Sequence, residues 1–119
     1  MESDPIEITL AHIRPDRLLA YENYQVVSLV QALWGAISQN MVAVSLKCVG
    51  AEVQLHFYLE AESSSDREMI DEVADDLEVL QLTSVPISTH IAIAGRSLQL
   101  KQIDGRLVYR RRDPSESRQ

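Results

Sequence analysis

The chain has 119 residues, is 45% hydrophobic and carries a net charge of -7. A chain of this length buries roughly two-thirds of its unfolded surface, so one core forms without staples, and the apolar content excludes disorder. Cys48 is the only cysteine, which rules out an internal disulfide and fits a reducing compartment. Net acidity argues against nucleic acid as the main ligand, because phosphate neutralisation needs clustered Lys and Arg.

The start, Met1 to Pro5, is acidic and polar and lacks the positive, apolar pattern of a secretory signal. No apolar run reaches the roughly 18 residues of a membrane span. The location expected from these two observations is the cytoplasm. Residues 5–12 place Ile6, Ile8 and Leu10 at period two, which predicts a short first strand. Pro15 suits the first turn of a helix, where its missing N–H would be unsatisfied anyway. Leu19, Val26, Val30, Leu33, Trp34 and Ile37 then recur at largely helical spacing, predicting a long helix that buries this stripe.

Val42, Val44, Leu46 and Cys48 alternate with Ala43, Ser45 and Lys47. After Gly50-Ala51, Val53, Leu55, Phe57 and Leu59 alternate with Gln54, His56 and Tyr58. Two such runs joined by a short glycine turn predict a β-hairpin. Ser65, with Glu68 three residues on, matches a capping box. Met69, Ile70, Val73, Leu77 and Leu80 follow as the stripe of a second helix over 66–80. Residues 87–93 alternate again and predict a strand. Gly95 to Ser97 turns the chain, 98–103 fits a further short strand, and 107–111 fits a last one after Asp104-Gly105. The expected fold is α+β, a mostly antiparallel sheet with two helices packed on one face. It forms one domain over 1–112, with a polar tail over 113–119. Val30 and Trp34 are expected in the same core as Phe57 and Val73.

Catalytic signatures are sparse. His12, His56 and His90 lie far apart, without metal-ligand spacing and without a cysteine cluster. His56 and His90 fall on the polar faces of their strands and read as exposed sheet residues; a pair would form only if those strands are neighbours. Cys48 reads as a small buried strand residue. There is no glycine-rich phosphate loop and no nucleophile motif. An enzyme, a cofactor and a metal are therefore not expected.

Charge distribution is more informative. Between Glu60 and Glu78 there are nine acids and one base, Arg67, whereas residues 79–119 hold three acids and seven bases. Glu68, Glu72 and Asp76 follow at i, i+4, and Asp71 and Asp75 form a second such pair. Like charges at this spacing cost a helix a few tenths of a kcal/mol per pair. The row reads either as a solvated face or as a docking face for a basic surface. The second reading takes Glu60, Glu62, Glu68, Asp71, Glu72, Asp75 and Asp76 as partner-binding residues. Arg106, Arg110, Arg111 and Arg112 could contact phosphate or pair internally with the acidic helix, and the overall acidity favours internal pairing or simple solubility.

The stretch Ala32 to Ser45, His56-Phe57-Tyr58-Leu59-Glu60, Asp66-Arg67-Glu68 with its acidic helix, and Leu107-Val108-Tyr109-Arg110 resemble small proteins of bacterial polymorphic toxin systems. The nearest group is the immunity proteins of contact-dependent growth inhibition. The resemblance implies a cytoplasmic inhibitor that binds one cognate toxin domain, frequently a basic nuclease; from the net acidity and the lack of an apolar span, neither nucleic acid nor membrane is expected as a direct partner. It carries over no binding residue, because such families diverge at the toxin-facing surface. A small adaptor or chaperone-like binding module is the alternative reading.

Overall fold

The computed structural model describes residues 15–96 and 98–112, with side chains from residue 18 onward. The elements are α1 (Pro15–Leu33), β1 (Met41–Val49), β2 (Glu52–Leu59), α2 (Ser64–Val79), β3 (Ile87–Ile93), a 3-10 turn (Leu100–Gln102) and β4 (Arg106–Arg110). The strand expected over 5–12 and the tail over 113–119 lie outside the described residues.

The hairpin forms as its alternation requires. Val49 pairs with Glu52 across a two-residue turn in which Gly50 takes φ 60°, a conformation that costs glycine little. A bulge between Met41 and Ala43 then shifts the phase. Met41, Val44 and Leu46 join the main core, whereas Val42, expected on their side, packs with Ala43, Tyr58 and Leu98 on the other. An extra residue in one strand breaks the period-two rule in this way.

The sheet order is β3-β2-β1-β4. β1 pairs antiparallel with both β2 and β4, as expected of a mostly antiparallel sheet, but β2 pairs parallel with β3, so the sheet is mixed rather than purely antiparallel. The cause is α2, which carries the chain back to the end where β2 began; the strand after such a crossover runs parallel. α2 and α1 cover one face, over Leu29, Leu33, Val44, Leu55, Phe57, Ile70, Val73 and Leu77.

Between β3 at one edge and β4 at the other, residues 94–96 and 98–105 lie across the opposite face. Leu98 fills against Val42, Ala43 and Tyr58 there, and the segment forms a 3-10 turn where a short strand was expected. The Ser45 hydroxyl donates to the Asp104 carbonyl, and the Asp104 N–H donates to the Tyr58 oxygen at 2.7 Å. Gly105 follows at φ 84°, and a Cβ there would meet the Leu46 carbonyl oxygen at 2.6 Å.

Each helix departs from the sequence reading in one respect. α2 is capped by Ser63, whose hydroxyl accepts from the Asp66 N–H at 3.1 Å, and not by Ser65. α1 is rotated from its expected phase. It buries Gln25, Ser28, Leu29, Ala32 and Leu33, and leaves Val30 and Trp34 outside the core. Gln25, fully buried, is satisfied by a reciprocal amide pair with Gln81 at 2.8 and 2.9 Å.

Candidate partner-binding surface

The seven acids divide by what they touch. The Glu60 carboxylate accepts from Arg111 Nη1 at 2.8 Å, and that guanidinium also donates to the Gln39 and Arg96 carbonyls, clasping three segments. Glu62 accepts from Arg67 Nη2 at 2.9 Å, and this hydrogen bond holds its carboxyl below the usual range. These two acids are already partnered. Asp66, a third acid of the segment, is buried where the Asn40 amide meets it at 2.8 Å.

Glu68, Asp71, Glu72, Asp75 and Asp76 behave differently. All five are exposed on α2, away from Ile70, Val73 and Leu77, and none pairs with a cation among the described residues. Asp75 and Asp76 also lie near the negative end of the helix dipole, where carboxylates are unfavourable. Arg106 and Arg111 of the C-terminal region pair internally, but not with this row. Arg106 reaches Glu22 at 3.3 Å and Asn23, both on α1, and Arg111 reaches Glu60.

Two histidines do meet. β2 and β3 are neighbours and place His56 opposite His90, with ring centroids 4.8 Å apart and planes 14° from parallel. His56 Nε2 lies 3.9 Å from an Asp104 carboxylate oxygen, beyond hydrogen-bond reach, and 3.3 Å from the Gln54 amide oxygen. Burial first, then His90 and Lys47, lower the His56 pKa against the opposing pull of Asp104. His90 Nε2 is 3.1 Å from the Ser88 hydroxyl, which donates to Glu52 at 2.8 Å. No group of three His, Cys, Asp or Glu among the described residues could hold a metal ion. His12 lies outside them. Cys48 is half-buried, and burial, with Glu22 nearby, pushes its thiol up to about 11, so it is a weak nucleophile at neutral pH.

The sequence reading missed a surface on α1. Val27, Val30 and Trp34 are exposed, and Val30 and Trp34 border an open groove of about 280 Å³ closed on its far side by Val108 and Tyr109. The signal available was Ser28 and Ala32, small residues that let one helix face approach its neighbours closely.

A two-helix cover on a four-stranded mixed sheet, with an acidic row and an apolar stripe on its outer side, describes a small α+β protein that offers surfaces to a partner. Over residues 22–113 the chain matches the family model described as MafI2 immunity protein, and it belongs to that family. No curated protein matches the chain. No helix among the described residues is long and apolar enough to cross a membrane.

Proposed function

We propose that the chain neutralises a cognate toxin domain in the cytoplasm by binding it, without chemistry of its own. The toxin is a basic nuclease, and the acidic face of α2 covers its active site or substrate groove in place of phosphate. The observation that carries this is the row Glu68, Asp71, Glu72, Asp75 and Asp76, exposed and unpaired among the described residues. Such a row costs the helix stability, and a surface rich in Lys or Arg relieves that cost on binding. Concentrated like charge also speeds encounter with an opposite partner and disfavours wrong ones. Glu60 and Glu62, held by Arg111 and Arg67, form the edge of this face.

The test is co-expression with the toxin domain encoded beside the chain's own gene. The wild-type chain is expected to restore growth and to copurify with that domain. With Glu72 and Asp76 both changed to Lys, association is expected to slow several-fold, most at low salt, where screening is weak. Equal association rates for two folded proteins would show that α2 is only a solvated face.

A further inference from the structure

On the outer side of α1, opposite Leu29 and Ala32, Val27, Val30 and, in the turn just past the helix, Trp34 follow at helical spacing and are 60%, 47% and 87% exposed. Trp34 and Val30 continue into the groove that Val108 and Tyr109 close from β4. An indole left almost wholly in water beside two valines is an apolar patch of the kind that marks docking sites.

What lies next to the stripe selects its occupant. α1 and α2 pack side by side, tied by the Tyr24 hydroxyl on the Leu80 carbonyl and by the Gln25–Gln81 pair. Packed helices run about 8–10 Å apart. Both turn their inner faces to the same side of the sheet, so the apolar stripe and the acidic row both point outward, while the groove itself opens on the β4 flank of α1, where Arg106 is already held by Glu22. Nucleic acid or an anionic membrane would meet repulsion from the acidic row and from a chain of net charge -7. A second copy docked stripe to stripe would bring two acidic rows into one layer, again like against like. A basic protein meets neither obstacle.

We infer that the α1 stripe is the anchor of the interface whose charged half is α2. The partner is a basic protein domain with an apolar recess that takes Trp34, flanked by Lys or Arg facing the acidic row. This rests on the proposed function and divides the work within it. Exposed charges govern how fast the partner arrives, and the desolvated aromatic governs how long it stays.

The measurement is binding kinetics with the toxin domain encoded beside the chain's gene, at low and high salt. Trp34→Ala is expected to raise the dissociation rate at least about tenfold at both salts and to change association less than about twofold. Val27→Lys, on the same stripe, gives an independent reading and is expected to act in the same direction. The Glu72→Lys, Asp76→Lys variant is expected to slow association instead. Wild-type dissociation from both stripe variants, with association still slowed by the lysine pair, overturns the anchor and leaves the proposed function standing. Absence of binding by the wild-type chain removes both. A wild-type dimer in sedimentation that Trp34→Ala converts to monomer assigns the stripe to a second copy and overturns the inference.

Discussion

α1 and α2 cover the same face of the same sheet, yet they reach that position by opposite routes. α2 buries the stripe its sequence announces, Ile70, Val73 and Leu77, and shows water its acids from Glu68 onward. α1 buries Gln25 and Ser28 and exposes Val27, Val30 and Trp34. The difference lies in contrast. Around α2 nearly everything outside the stripe is charged, so one phase alone keeps charge in water. Around α1 apolar residues occupy both sides, and periodicity permits two phases a fraction of a turn apart. Tertiary packing chose the side with Ser28 and Ala32, where small residues admit close approach. Gln25 is tolerated because Gln81 completes its hydrogen bonds.

The largest test of this contrast pairs two aromatics that the sequence placed together. Phe57 is fully buried in the main core and Trp34 is 87% exposed. Phe57→Ala is expected to cost about 3–5 kcal/mol, and Trp34→Ala within about 0.5 kcal/mol. Urea unfolding of both variants measures this directly. A loss of several kcal/mol at Trp34 would put α1 in its sequence-expected phase and break the comparison.

A smaller effect probes the polar side of α1. Gln81→Ala strands the buried Gln25 amide and is expected to cost about 1–3 kcal/mol. Replacing both Gln25 and Gln81 by Leu is expected to recover most of that loss, because no polar group is then left unpaired. Failure of the double variant to recover would mean the amide pair fixes the helix crossing as well as satisfying its atoms.

Legibility followed the same rule of contrast. The hairpin over β1 and β2 was readable because Val44, Leu46, Leu55 and Phe57 alternate with polar neighbours and Gly50 marks the turn. The parallel pairing of β2 with β3 was not, because strand direction depends on where α2 returns the chain and not on either strand's pattern. The bulge at Val42 left no mark, since Val42, Ala43 and Val44 are all apolar. Ser63, Ser64 and Ser65 stand in a row, and the Ser65–Glu68 box matched the capping pattern while Ser63 caps the helix. Of the proposed site, the acidic row was visible in the sequence as charge spacing. The apolar half was hidden, because an exposed Trp and a buried one look alike until the helix phase is known.

The smallest effect returns to α2 and to what its acids cost. Asp75 and Asp76 sit toward the C-terminal end of the helix, where the backbone presents unsatisfied carbonyls and partial negative charge. Asp76 also follows Glu72 at i+4, and Asp75 follows Asp71 likewise. Both terms act in one direction, so changing Asp75 and Asp76 to Asn is expected to raise stability by roughly 0.5–1 kcal/mol at low salt. The gain is expected to shrink in high salt, because exposed charges are screened within about a Debye length. The matching change on α1, Gln31→Lys, relieves no such repulsion and is expected to leave stability within about 0.5 kcal/mol. Thermal unfolding of the three proteins at two salt concentrations reads both points. A salt-sensitive gain confined to α2 would mark its acids as kept at a cost to folding, which is what a row used in binding predicts. No gain would mean that the row is stabilised locally or screened already, and its spacing would then say nothing about a partner.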